Sequence, residues 1–216
     1  KEIEKGHTYT THANVRPYLN KLLKDKTLVT QAFQSGHDKA QYILNPDTGA
    51  YHPTAQLLME SVVAKRLNTL IKRNDLFDEN ANAAYCSAVA ELPYELTPKQ
   101  IEAVTTCLDN SVSCITGGAG TGKTTLTKTA VKEFNNVGRN VFLFAPTAEA
   151  SRGVLRAEGF DNADTVKKLL SDKPLQQEIK GQVLWIDEAG LLGTKDMADI
   201  LSLAKDQNAR VVLSGD

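Results

Sequence analysis

The chain has 216 residues, enough for one or two domains with at least one sizeable core. Hydrophobic residues make up 41% and charged residues 24%, a globular balance that excludes general disorder. The net charge of −1 excludes a polybasic module gripping duplex nucleic acid by bulk charge, though not a narrow single-strand groove.

Residues 1–92 read as a small, mainly helical domain. Over 15–24, Val15, Leu19, Leu22 and Leu23 share one helical face. Residues 41–44 alternate like a strand, and Asn45-Pro46-Asp47-Thr48-Gly49 has turn chemistry, which predicts a β-turn between two short strands. Pro53-Thr54 opens a long helix with Leu57, Leu58, Val62, Leu67, Leu70 and Ile71 at helical spacing. Residues 75–82 are polar and loop-like, and 83–91 suggest a short helix. From Leu96 onward helices and strands alternate. Helices are predicted over 97–108 (Thr97 as N-cap, Pro98 in the first turn), 123–135, 148–158, 165–170 and 194–205, and strands over 112–116, 140–145, 182–186 and 210–213. This alternation predicts an α/β domain over 93–216, a parallel sheet with helices on both faces.

The longest apolar run, 141–145, is far short of the roughly 20 residues of a membrane span, and the opening Lys1-Glu2-Ile3-Glu4-Lys5 is no signal peptide. Cys86, Cys107 and Cys114 form neither a CxxC pair nor a zinc spacing; they read as small buried apolar side chains in a reducing compartment, the cytoplasm. His7, His12, His37 and His52 are too scattered to form a ligand set, and Trp185 reads as a core residue. The absence of an initiator methionine, and a last strand that has only just ended, predict a fragment of a longer protein.

Two segments carry chemistry. Gly117-Gly118-Ala119-Gly120-Thr121-Gly122-Lys123-Thr124 fits GxxxxGK[ST] between an apolar strand and an amphipathic helix. Such glycines let backbone N–H groups close around phosphate oxygens at a helix N-terminus. Lys123 is expected on the β- and γ-phosphates of ATP and the Thr124 hydroxyl on Mg²⁺. Val183-Leu184-Trp185-Ile186-Asp187-Glu188 delivers two acids at a strand's C-terminal end, where open α/β sheets bind ligands. Asp187 is expected to hold Mg²⁺, directly or through water, and Glu188 to polarise the attacking water. Lys123, Asp187 and Glu188 are the candidate catalytic residues. An amide such as Gln100, just ahead of the first strand of this domain, can donate to and accept from one adenine edge.

In chain order these segments resemble the first motor domain of a superfamily 1 helicase of the RecD-like group, which includes the exodeoxyribonuclease V alpha subunit. Leu96-Thr97-Pro98-Lys99-Gln100 followed by Ala103-Val104 resembles the Q motif, which implies that Gln100 reads adenine. Residues 116–125, ending in Thr125, match motif I; 145–150 resemble motif Ia; 164–170 resemble the next DNA-contacting segment; 185–190 match a "DEA" motif II; and Ser214-Gly215-Asp216 resemble the start of motif III. Gly6-His7-Thr8-Tyr9, and residues 42–44 leading through Pro53 into the 57–71 helix, more loosely resemble the small domain before such motors. The resemblance implies a RecA-like P-loop NTPase fold and an ATP-dependent helicase or translocase moving 5′ to 3′ on single-stranded DNA in repair or recombination. It also implies a second motor domain supplying a transition-state arginine, a fragment that is weak or inactive alone, and partner subunits in repair or conjugation. Pro146, Thr147 and Thr165 are then candidate DNA-backbone contacts. Two positions depart from the pattern: Ala148-Glu149 stand where Gly and then Lys or Arg are usual, and Lys167 where His is usual. Conjugative relaxase-helicases share the motor motifs. A regulatory P-loop ATPase, or a nucleotide-gated DNA-binding module without unwinding, would use the same nucleotide site.

Overall fold

The computed structural model describes residues 8–73, 95–118 and 120–216. The chain divides into two units, one ending at Ala64 and the other starting at Lys65. The expected boundary at residue 92, the loop over 75–82 and the helix over 83–91 lie outside the described residues, as do Gly6, His7, Cys86 and Ala119.

The first unit runs β1 (Thr10–Thr11), α1 (His12–Leu23), α2 (Lys26–Asp38), β2 (Tyr42–Leu44), β3 (Ala50–Pro53) and the opening of α3 (Thr54–Ile71). Its strands form an antiparallel sheet in the order β1-β3-β2. The predicted turn joins β2 to β3, and the Asn45 side-chain oxygen accepts the N–H groups of Asp47 and Thr48 at 2.9 and 3.2 Å. Helix α2 is not evident in the hydrophobic pattern, since Val29 is its one buried large apolar residue. Its start is fixed instead by Asp25, whose carboxylate accepts the N–H groups of Thr27 and Leu28 at 2.7 and 3.3 Å. Leu22 is 63% exposed, so the apolar stripe of α1 is narrower than predicted and consists of Val15, Leu19 and Leu23, each half-buried. Aromatic rings pack the unit: His12 stacks on Phe33 at 5.1 Å, and Tyr42 meets Tyr51 edge-on at 5.0 Å. The Tyr42 hydroxyl donates to the Phe33 carbonyl at 3.0 Å. His12 and His37 are exposed and His52 is half-buried.

The second unit holds the rest of α3, then α4 (Pro98–Asp109), β4 (Val112–Thr116), α5 (Lys123–Asn136), β5 (Val141–Ala145) and a π-helical segment (Glu149–Leu155). It continues with β6 (Asp164–Thr165), α6 (Val166–Ser171), α7 (Lys173–Glu178), β7 (Val183–Ile186), a 3₁₀ turn (Ala189–Leu191), α8 (Thr194–Asp206) and β8 (Arg210–Gly215). The sheet is parallel with order β4-β8-β7-β5-β6. The last strand in sequence therefore lies between the strand that enters the glycine loop and the strand that delivers the acid pair. Every residue of β7 is buried, as its unbroken apolar run demands. Phe134, Leu143, Trp185 and Val212 belong to the core cluster beneath the sheet. Buried Arg210 donates to the Leu108 carbonyl at the end of α4 and lies 5.9 Å from the Phe134 ring centroid, so a cation meets orphan helix carbonyls and an aromatic face. Ser111 in turn donates to the Leu70 carbonyl at 2.5 Å, holding the end of α3 within this unit.

Three features correct the sequence reading. The helix expected over 148–158 is π-helical through most of its length, and the Thr147 carbonyl at its start accepts both the Ser151 N–H at 3.1 Å and the Ser151 hydroxyl at 2.8 Å. Helix α7 stands in a stretch with no predicted element, capped by the Asp172 carboxylate on the Leu175 N–H at 3.1 Å. Cys114 is exposed rather than buried, because β4 is an edge strand in which Ser113 and Ile115 point into the protein and Cys114 points out. Cys107 is buried as expected, and burial pushes its thiol up to about 12, against hydrogen bonding from Ser113 and the charge of Arg210. Among the described residues no helix is long and apolar enough to cross a membrane.

Candidate functional site

Parallel pairing brings the C-terminal ends of β4, β7 and β8 together, and with them the glycine loop, the acid pair and the last three residues. The loop leaves β4 at Thr116, and its first N–H, from Gly117, donates to the Gly215 carbonyl at 3.2 Å. Gly122 has φ +86° just before α5, and a Cβ there would lie 2.8 Å from Gln100 Nε2. At Gly117 a Cβ would lie 2.7 Å from the Thr121 hydroxyl, which would have to turn away. The left-handed backbone at Gly122 is the feature that any side chain would strain. Thr121 closes it by donating to the Gly118 carbonyl at 2.8 Å. Gly118 and Gly120 are exposed, and Thr125 lies in the first turn of α5.

Lys123, at the start of α5, is half-buried. Its ammonium donates to the Gly117 carbonyl at 2.5 Å and pairs with the Asp216 carboxylate. The lysine therefore already faces an anion at the mouth of the loop, the chemistry a phosphate would present there. The Thr124 hydroxyl donates to Glu158 Oε1 at 3.0 Å. Asp187 follows β7, its N–H donating to the Phe144 carbonyl at 2.8 Å, and its carboxylate accepts the Ser214 hydroxyl at 2.7 Å. Glu188 has φ +52°, a left-handed backbone that costs a non-glycine residue roughly 1–2 kcal/mol. The hydroxyl and carboxylate oxygens of Thr124 and Asp187 suit a hard cation such as Mg²⁺. That ion keeps several waters and takes few protein carboxylates.

Gln100 is placed against the loop, but its amide is partly committed. Thr97 and Gln100 form a capping box: the Gln100 N–H donates to the Thr97 hydroxyl oxygen at 3.3 Å, and the Thr97 N–H donates to Gln100 Oε1 at 2.9 Å. The carbonyl oxygen is engaged by the cap, so Nε2, the atom facing Gly122, is the part of the amide left to donate to a base.

The three candidate DNA contacts stand at the ends of β5 and β6, toward the edge of the sheet away from β4. Ala145 of β5 pairs with Thr165 of β6, so Pro146 and Thr165 leave neighbouring strand ends. Thr147 accepts the Ala150 N–H at 3.1 Å and Thr165 accepts the Lys168 N–H at 3.2 Å, so both cap the helix that follows. Each hydroxyl keeps its own proton for donation. Pro146 lines a groove of about 570 Å³ with Lys167, Leu191, Leu192 and Lys195. Beside it, Asp164 is held below the usual carboxylate range: burial pushes it up, but the Thr165 N–H, Arg152 and Lys168 together outweigh burial. Arg152 and Lys168 reach it at 2.8 and 3.2 Å, and Arg156 at 3.5 Å.

Asp216 beside Lys123, Glu158 beside Thr124 and Ser214 beside Asp187 were not singled out as partners from sequence. Ser214 and Asp216 carried a signal in the motif III resemblance. Glu158 carried none, since only folding brings it to a residue so far away in the chain.

A glycine loop between strand and helix, an acid pair ending a second strand, and a further strand between the two in one parallel sheet define a P-loop NTPase. The chain belongs to the AAA domain family, which matches residues 95–216. It is 35% identical over 108 residues to the ATP-dependent RecD2 DNA helicase of Deinococcus radiodurans, covering 47% of this chain and 15% of that protein. It is 29% identical over 106 residues to the conjugal transfer protein TraA of Rhizobium radiobacter, covering 49% of this chain and 10% of that protein. The RecD-like resemblance read from the motifs agrees with the similarity to RecD2, and the chain spans only a small part of the length of either relative. Among solved structures, the UvsW helicase of bacteriophage T4 aligns with a TM-score of 0.48 at 12% identity, over 64% of this chain and 61% of that one.

Proposed function

We propose that this chain is the ATP-binding part of a DNA helicase or translocase that works on single-stranded DNA. The observation that carries the reading is the meeting of Lys123, Asp187, Glu188 and the Ser214–Asp216 segment at one end of the sheet. In this reading the loop N–H groups and Lys123 hold the phosphates, Thr124 and Asp187 hold Mg²⁺, Glu188 orients and deprotonates the attacking water, and Gln100 Nε2 donates to adenine. The metal supplies charge neutralisation on the phosphates when bound. Pro146, Thr147 and Thr165, with Lys167 in the groove beside Pro146, line the track for the DNA backbone; movement is 5′ to 3′, and the work is in cytoplasmic repair or recombination. A second motor domain contributes the transition-state arginine. The similarity to TraA favours one alternative setting for the same motor, conjugal DNA transfer.

The test is the ATPase rate of the complete protein that carries this chain, with and without single-stranded DNA. Strong stimulation that disappears with Lys123→Ala supports the reading. A rate indifferent to DNA overturns it and favours a regulatory P-loop ATPase.

A further inference from the structure

Trp185 is the only tryptophan of the chain and is fully buried on β7. Its indole N–H donates to Ser214 Oγ on the neighbouring strand β8 at 2.8 Å. Ser214 is itself 3% exposed and lies 2.7 Å from Asp187 Oδ1 and 3.4 Å from the Ile186 carbonyl. The direction of this chain of bonds is fixed by its ends. An indole nitrogen can only donate, and an ionised carboxylate can only accept. Once Ser214 has accepted from Trp185, its single proton is available for Asp187, with the longer contact to Ile186 as the weaker choice.

We propose that Ser214 is a positioning residue that aims the Asp187 carboxylate, and that Trp185 fixes the Ser214 hydroxyl for this task. The inference rests on the reading of Asp187 as the Mg²⁺-holding acid. Asp187 is the first residue after β7, where the chain leaves the sheet for the left-handed turn at Glu188. Its backbone is pinned by Phe144, and its carboxylate accepts a hydrogen bond from Ser214. That bond occupies Oδ1 from the β8 side and leaves Oδ2 to face a cation. Because donor and relay are buried, water does not compete for the serine, and the bond is stronger than an exposed one. The arrangement links the acid-pair strand to the strand entering Gly215 and Asp216, and it makes Trp185 a built-in reporter of what Asp187 binds.

The test is a Mg²⁺ titration of the whole chain at fixed ADP, followed by two signals: Trp185 emission, and anisotropy of a fluorescently labelled ADP. Nucleotide affinity without metal is measured separately in EDTA. In the parent chain Mg²⁺ is expected to change Trp185 emission saturably. Ser214→Ala is expected to raise the Mg²⁺ half-saturation about tenfold, the size of one hydrogen bond to a charged group, while leaving metal-free nucleotide affinity unchanged. The Mg²⁺-dependent change in emission is lost with it, and Ser214→Thr restores both. Trp185→Phe keeps an aromatic ring in the core and is expected to raise the Mg²⁺ requirement by a smaller factor, read from the anisotropy; it decides the matter if Ser214→Ala does not fold. A half-saturation within about twofold of the parent in folded variants overturns the proposal. Asp187→Asn separates the two levels. If it abolishes the Mg²⁺ response while Ser214→Ala does not, positioning by Ser214 is wrong; if it has no effect, the assignment of Asp187 is wrong and the proposal falls with it.

Discussion

Glu133, on α5, has no exposed surface, and neither of its carboxylate oxygens has a hydrogen-bond partner among the described residues. Burial raises its carboxyl from 4.5 to about 7, with the charge of Lys132 acting weakly the other way. Below about pH 4.5 the folded and unfolded states both hold the proton, and there is no penalty. As pH rises through this window the unfolded chain gives up the proton first, so folding is progressively disfavoured until the folded carboxyl ionises near pH 7. A shift of about 2.5 units corresponds to roughly 3 kcal/mol at most. Glu133→Gln removes the titration. Its stability relative to the parent is therefore expected to rise by about 2–3 kcal/mol between pH 4.5 and pH 8, on top of a constant offset from burying the amide. Urea unfolding at a series of pH values measures this directly. A difference between variant and parent that stays flat across that range would refute the reasoning.

Asp164 shows the opposite sign. Its carboxyl is held low by hydrogen bonds, so its contribution is present at neutral pH and fades as pH falls through its depressed value; Asp164→Asn is expected to destabilise the fold at pH 7 and to cost little under strongly acidic conditions, by the same unfolding assay. Thr97→Ala opens the capping box and is expected to cost about 1 kcal/mol; if Gln100 is oriented by that box, preference for ATP over GTP falls with it, as nucleotide competition can show. Gly122→Ala forces a side chain onto a left-handed residue and against Gln100, so nucleotide binding is expected to fail although the thermal midpoint drops by only a few degrees. Glu188→Gln is expected to keep nucleotide affinity within about threefold and to lose most hydrolysis, which single-turnover kinetics can separate.

The second unit was legible because its signals are local and agree with one another. Strand 112–116 was predicted to the residue; 183–186 was closely bracketed by its apolar run, and Thr97-Pro98 marked the start of α4. The glycine loop was marked by its motif spacing and the acid pair by the apolar run ahead of it. What escaped depends on contacts across the fold. Helix α2 has almost no buried face to leave a period in the sequence, and α7 is short and set by a single aspartate cap. The π-helical register after β5 leaves no mark in the 3.6-residue apolar pattern. Cys114 looked like a core residue because edge position is a property of strand order, and strand order is invisible in a lone strand. The pairing of Trp185 with Ser214 follows from β7 and β8 lying side by side, a crossover that no local pattern announces.

The central claim is that the loop at Gly117–Thr124 binds a Mg-nucleotide through Lys123. Isothermal titration of this chain with Mg-ADP, repeated with Lys123→Ala, tests it most directly. The account predicts saturable one-to-one binding that weakens at least about tenfold in the variant, the loss of one strong charged contact. Absence of binding to the folded parent, or equal binding by both proteins, would contradict it.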